Sequence, residues 1–149
     1  MNTATVKETV VFDTSDEIRR DTQLLGRVED ANRYFRELLN RHKLEPAERK
    51  ILWFWSDPGI PVIQVGLVEN DELGERVSKK TISLRRMEDQ VARESTISGL
   101  LQDVLRQRWY QQREIIEREI RKMEAIEKES EAYHVDSINA IATGEVIHG

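Results

Sequence analysis

The feature that most constrains this chain is the segment 87–134, which contains no proline and only one weak stretch, at residues 95–99. Apolar residues recur along it at helical spacing and fall within an arc of about 160° on a helical wheel. The pattern predicts one long amphipathic helix. Arg108, Gln112 and Glu119 fall within the same arc, which favours bundle-like packing over a long two-stranded coiled coil.

The length of this predicted helix bears on association. A helix over residues 99–133 would be about 50 Å long, whereas a compact globule of 149 residues is about 40 Å across. The part over 120–133 would then lack an internal partner. Each large apolar side chain left in water forgoes about 1.5 to 3 kcal/mol, in a domain whose net stability is about 5 to 15 kcal/mol. We therefore expect another subunit to cover it.

The predicted oligomer interface lies on the apolar face of this helix and comprises Leu101, Leu105, Trp109, Ile116, Ile120, Met123, Ile126 and Tyr133. The alternative is that the helix breaks near Ser98 and again near Ser130 and folds back over the hairpins. Residues 135–149 retain isoleucine and valine without helical periodicity, and we predict a C-terminal tail that grips a neighbouring subunit.

The N-terminal half contains a second amphipathic helix. Residues 6–12 are rich in β-branched side chains and predict a short strand. Thr14 and Glu17 have the spacing of a capping box, and apolar residues then recur at helical intervals, so a helix is expected over about residues 15–42.

The middle of the chain reads as strands, although residues 46–56 fit either a helix or a buried strand. We favour a helical turn at 46–50 that passes into a strand, with Trp53, Phe54 and Trp55 as core residues on alternate sides rather than as a ligand platform. Asp57-Pro58-Gly59 predicts a type II turn. Strands are expected over 60–68 and 80–84, separated by a polar turn.

These elements predict an α+β fold with an N-terminal strand and helix, a small antiparallel β-meander and a long C-terminal amphipathic helix. We expect one domain over residues 1–134, followed by the tail 135–149. Charged residues make up 34% of the chain and apolar residues 38%, which is typical of globular proteins.

Composition also bears on partners and location. The net charge of -5 argues against a surface devoted to nucleic acid or an anionic membrane. The longest apolar run, Ile51 to Trp55, is too short to span a bilayer, and we expect no membrane association. The absence of cysteine fits a reducing compartment, and the first residues lack the pattern of a signal peptide. A cytoplasmic protein, or one incorporated into a virion assembled there, is expected.

No motif predicts catalysis. The seven glycines do not assemble a phosphate-binding loop, and no Gly-x-Ser-x-Gly elbow occurs. Glu131 and His134 match half of a di-iron motif, but no second copy follows, so a solvated helix end is the better interpretation. We predict no catalytic residue, no metal site and no cofactor.

The most pointed polar signal is the basic segment 76–86, which contains no acidic residue. Its five cations are Arg76, Lys79, Lys80, Arg85 and Arg86. On a hairpin, Lys79, Thr81, Ser83 and Arg85 would share an outward face suited to phosphate oxygens. With a helix at 46–55, the segment would be the wing of a winged-helix module. We prefer an edge strand protected by cations.

The favoured function is therefore a non-enzymatic structural or assembly subunit that forms a homo-oligomer through its long helix and tails. A virion or phage tail component is one such setting, with other structural subunits as further partners. The alternative is a dimeric winged-helix-like DNA-binding regulator that uses residues 76–86; nucleic acid is not the favoured partner. A third hypothesis is an enzyme whose carboxylate site forms only between subunits.

Overall fold

The computed structural model describes residues 7–143, and the side chains of residues 7–132. Its elements in chain order are β1 (Thr9–Thr14), α1 (Asp16–Arg19), α2 (Thr22–His42), β2 (Glu48–Phe54), β3 (Val62–Asp71), β4 (Gly74–Ser83), α3 (Leu84–Met87) and α4 (Gln90–Thr143). The chain divides into two units, Met1–Trp109 and Tyr110–Gly149, and the division falls inside α4. The expected domain over residues 1–134 and the tail 135–149 stay predictions.

The first unit contains a four-stranded sheet in the order β1-β2-β3-β4. β2, β3 and β4 form an antiparallel meander. β1 pairs with β2 in parallel, and α1 and α2 supply the crossover that a parallel pair requires. The predicted α+β class, with its meander and long C-terminal helix, is confirmed.

One face of the sheet carries the core. Alternate residues of β2 and β3 point to this face, where they pack against the apolar sides of α2 and the first part of α4. The fully buried members include Val28, Phe35, Ile51, Ile63, Val65, Leu67, Ile97, Leu100 and Val104. The opposite face has exposed or half-buried side chains, among them Val11, Phe54 and Val77.

The helix expected over 15–42 is interrupted. α1 ends at Arg19, and α2 starts afresh with Asp21 as its N-cap, whose carboxylate accepts a hydrogen bond from Leu24 N at 3.0 Å. Thr14 ends β1 and caps nothing; Ser15 is the N-cap of α1, and its hydroxyl accepts from Trp55 N at 3.3 Å. A capping aspartate inside the periodic segment therefore divides the predicted helix.

The helical turn expected at 46–50 was wrong, because β2 begins at Glu48. Trp53 and Trp55 are buried and Phe54 is 47% exposed, which confirms the alternation of the three rings. Ile60 N donates to Asp57 O at 2.9 Å, so a turn forms there. It is not type II, because Gly59 does not have the positive φ that this type requires.

The remaining differences concern boundaries. β3 and β4 reach Asp71 and Gly74, so the expected polar turn shrinks to two residues, 72 and 73. α4 passes without a break through 95–99 and near Ser130, and it ends at Thr143, beyond the predicted end at 134. The breaks at Ser98 and Ser130 that the alternative required are therefore absent from α4.

Candidate assembly interface

Five large apolar side chains lie on one side of α4 within the second unit. Ile115, Ile116, Ile120, Met123 and Ile126 have between 41% and 63% of their surface exposed. Their spacing keeps them within one face of a helix. We call these five residues the apolar stripe. Single exposed apolar residues are ordinary on protein surfaces, whereas a contiguous set marks an interaction surface.

The predicted interface residues divide between the core and the surface. Leu101 is buried in the core of the first unit, so it is not available for a subunit contact. Leu105 and Trp109 are 36% and 52% exposed in the same unit. Ile116, Ile120, Met123 and Ile126 belong to the apolar stripe. The side chain of Tyr133 and the predicted tail contacts of 135–149 lie outside the described side chains.

Ion pairs one turn apart stabilise the helix around the apolar stripe. Arg113 Nε lies 2.8 Å from Glu117 Oε1, and Lys122 Nζ lies 3.3 Å from Glu119 Oε1. Pairs at this spacing each contribute about 0.2 to 0.5 kcal/mol to a helix. Local charge interactions therefore support this part of α4, while its apolar side chains remain exposed.

The first part of α4 is fastened across β4 by polar contacts. Ser78 Oγ donates to Asp103 Oδ2 at 2.7 Å, and Lys80 Nζ lies 3.2 Å from the same oxygen. The hydrogen bond from Ser78 and the charge of Lys80 lower the pKa of Asp103. Gln107 Nε2 donates to Val77 O at 2.9 Å, which satisfies a carbonyl of β4. These contacts fix the helix in the first unit.

A row of buried charges crosses the sheet beside the apolar core. Arg49 on β2, Glu69 on β3 and Arg76 on β4 are register partners, and all three side chains are at most 2% exposed. Glu69 accepts from Arg49 Nε at 2.8 Å and from Arg76 Nη2 at 2.7 Å. The outer side of Arg49 pairs with Glu8 at 3.0 Å. Every charge in the row therefore has a partner.

The row continues to α4 through Asp71. Its Oδ2 lies 2.8 Å from Arg76 Nη2 and 2.8 Å from Arg108 Nε. Burial by itself raises the pKa of Asp71, but hydrogen bonds from Arg76, Arg108 and Leu73 N outweigh burial and leave the pKa well below its ordinary value. The carboxylate thus stays charged and joins the β3–β4 turn to α4.

The sequence analysis did not find this network. Its signal was present, because Arg49 alternates with Ile51 and Trp53 on the side of β2 that faces the core. Only the pairing of the strands shows that Glu69 comes opposite Arg49. The network has the form of a structural ion-pair cluster rather than a reactive centre, since its carboxylates are held by arginines.

The structure does not place the five cations of segment 76–86 on one surface. Arg76 lies in the buried row, and Lys80 pairs with Asp103. Lys79 is exposed on the open face of the sheet, whereas Arg85 and Arg86 are exposed on α3. The expected outward face is right for Lys79 and Thr81, which are exposed on β4, and wrong for Arg85. Ser83 ends β4 and caps α3, accepting from Arg86 N at 3.1 Å, so Arg85 lies on that helix.

The winged-helix arrangement also loses an element. It required a helix before the hairpin, at residues 46–55, and β2 occupies that position. A nucleic-acid contact at Lys79, Arg85 and Arg86 stays a prediction, without a recognition helix at 46–55 to accompany it.

Other surfaces offer little chemistry. A groove of about 290 Å³ is lined by Leu38, His42, Leu44, Ser98, Leu101, Gln102 and Leu105. In the part of the chain with described side chains, no three histidine, aspartate or glutamate residues come together as metal ligands. Glu131 is exposed, and the side chain of His134 lies outside the described set.

No known protein family, no curated protein and no solved structure matches this chain. Among the described helices, none has a stretch apolar and long enough to cross a bilayer.

Proposed function

We propose that this chain is a non-enzymatic structural subunit that self-associates through the apolar stripe of α4. The observation that carries the proposal is the exposure of five large apolar side chains on one side of the helix. Covering such a side chain is worth about 1.5 to 3 kcal/mol when burial is complete. The five side chains are between 41% and 63% exposed, so a partner that covers them gains part of that free energy at each position.

The first unit has a core of its own and does not need the apolar stripe to complete it. Its core includes the first part of α4, and no buried side-chain nitrogen or oxygen among the described residues lacks a hydrogen-bond partner. The fold of residues 7–109 thus has its own apolar core and its own charged network. The apolar stripe is additional to this core, and association is the role that its chemistry supports.

The setting that we propose is a larger particle, such as a virion or a phage tail, in which copies of this chain or other structural subunits cover the apolar stripe. Incorporation into a virion assembled in the cytoplasm is part of this proposal and follows from the assembly role, not from a separate observation.

A dimeric DNA-binding regulator is the second candidate, and the exposure of Lys79, Arg85 and Arg86 is the observation that favours it. If this function holds, affinity for duplex DNA falls steeply with salt and falls again when these three residues are replaced by alanine. Retention of the same affinity in that triple variant, or no binding at low salt, contradicts it.

The test of the assembly function is the double variant Ile116→Asp/Ile120→Asp, measured by light scattering after size exclusion. Charged side chains in the apolar stripe should lower the oligomeric mass to that of the single chain. The near-ultraviolet circular dichroism of the tryptophans, all of which lie in the first unit, should be retained. Val91→Asp is the matched control, because Val91 is 75% exposed on α4 but outside the stripe. An unchanged mass in the double variant contradicts the proposal.

A further inference from the structure

We infer that the apolar stripe is covered by a second copy of this chain, whose α4 lies antiparallel to the first and places Ile116 against Ile126 of the second copy. This inference rests on the proposed function and adds the partner, the orientation and the register. It is carried by the position of Glu119 among the stripe residues and by the distribution of charge along α4.

Glu119 argues against a parallel pair. It lies within the arc of the apolar stripe, between Ile116 and Met123, and its side chain is 61% exposed. In a parallel pair in register, each residue faces the same residue of the other helix. Two Glu119 carboxylates would then face each other in the seam, the line of contact between the two helices. Like charges in that position oppose association. In the antiparallel pair, Glu119 comes opposite Met123 of the second copy, and the two carboxylates are separated.

The charge along the helix argues for the antiparallel pair. Residues 124–131 contain four glutamates and one lysine, whereas residues 113–122 contain four basic and three acidic residues. A parallel pair would place the acidic segments against each other. An antiparallel pair with Ile116 opposite Ile126 places residues 124–131 against residues 111–118, which contain two basic and two acidic residues. The acidic segments are then kept apart, and flanking charges of this kind set the orientation of paired helices.

The register follows from the apolar residues. When Ile116 faces Ile126 of the second copy, the two Ile120 side chains meet near the two-fold axis. Arg113 and Glu127 lie two helical turns before and after Ile120, so Arg113 reaches Glu127 of the second copy. Each contact occurs twice because the interface is symmetric. In this one register, therefore, the apolar contacts of the seam and an ion pair on each side of the two-fold axis form together.

The absence of cysteine from the chain makes disulfide trapping a clean test. Full-length Ile116→Cys and Ile126→Cys are prepared separately, one with a mass tag, and are oxidised alone and as an equimolar mixture. Facing seam positions come within the Cα separation of about 4.4 to 6.8 Å that a disulfide needs. The mixture should give the mixed-disulfide dimer, and each variant alone should give at least tenfold less covalent dimer. Val91→Cys is the control for collisional crosslinking.

The outcomes separate this inference from the proposed function. The mass of each reduced variant is measured by light scattering before oxidation. A monomeric mass for these variants and for the unmodified chain overturns both proposals. A dimeric mass with each variant crosslinking to itself overturns the antiparallel orientation and leaves self-association intact. A dimeric mass with no crosslink above the Val91→Cys control overturns the register, and the inference with it.

Discussion

Arg76 and Glu69 face each other across β3 and β4, and the Nη2 atom of Arg76 lies 2.7 Å from Oε1 of Glu69, with both side chains out of contact with solvent. Glu69 also accepts from Arg49, so one buried carboxylate neutralises two buried guanidinium groups with help from Asp71 and Glu8. Burying charge is costly, and close pairing offsets the cost only while every partner is present. The stability of the sheet therefore depends on these ion pairs in the part of the sheet that lies beside the apolar core.

Glu69→Gln should lower the free energy of unfolding by about 3 kcal/mol, because it leaves two buried arginines with one carboxylate fewer. Chemical denaturation measures the difference. Glu72→Gln is the matched control, since Glu72 is 61% exposed and pairs with Arg108 only at the surface; we expect a change below about 0.5 kcal/mol there. Equal stability of the two variants would contradict the role assigned to the buried row.

The free energy of unfolding depends on pH through Asp71. Its pKa in the folded state lies below the ordinary value of 3.8, so the unfolded chain takes up the proton first as the pH falls. The stabilisation that Asp71 contributes is present above pH 3.8 and is lost as the pH falls below it, through the folded pKa. The difference in unfolding free energy between the unmodified chain and Asp71→Asn should therefore narrow below about pH 4. A difference that stays constant from about pH 7 to about pH 3 would rule out this assignment.

The indole of Trp53 depends on a side chain of α2. Its Nε1 donates to Asn32 Oδ1 at 2.8 Å, and Trp53 as a whole is 2% exposed. Asn32→Ala should cost about 1 to 3 kcal/mol, because the buried N–H loses its acceptor. Asn40→Ala makes the same exchange at an exposed position of the same helix, and we expect it to leave stability within about 0.5 kcal/mol. Thermal unfolding followed by tryptophan fluorescence compares the two variants.

Charge reversal tests the antiparallel pair independently of disulfides. Glu127→Arg should raise the dimer dissociation constant about tenfold, because it sets a guanidinium group against Arg113 of the second copy at both symmetric contacts. Adding Arg113→Glu to the same chain should restore much of the affinity. Glu114→Arg carries the same change of net charge at an exposed position on the side of the helix away from the apolar stripe, and it should have a smaller effect. A double variant no tighter than Glu127→Arg alone would speak against this contact.

The fold was predictable where one local pattern decided it. The β-branched run around Ile63 predicted a strand, and the periodicity of α2 and α4 predicted helices, because both patterns reflect burial. The run from Ile51 to Trp55 fitted a helix as well as a strand, and only its pairing decides between them. Asp21 was missed because a capping residue competes with a periodic pattern that continues on both sides of it. The parallel pairing of β1 with β2 was missed because strand partners far apart in sequence leave no local signal.

The candidate interface was predictable only in part. Apolar periodicity runs through all of α4, but it does not distinguish Leu101, which the core covers, from Ile120, which is exposed. That difference depends on where the sheet lies. The basic segment was misleading for a related reason. Arg76 pairs with the carboxylate of Glu69 on the adjacent strand, and only the pairing of the strands brings the two side chains together.

The most direct measurement is the mass of the full-length chain in solution, determined by light scattering after size exclusion over a dilution series from high to low micromolar concentration. The account predicts a species of twice the mass of one chain, which dissociates only at the lowest concentrations. A single folded chain at every concentration would contradict self-association through the apolar stripe.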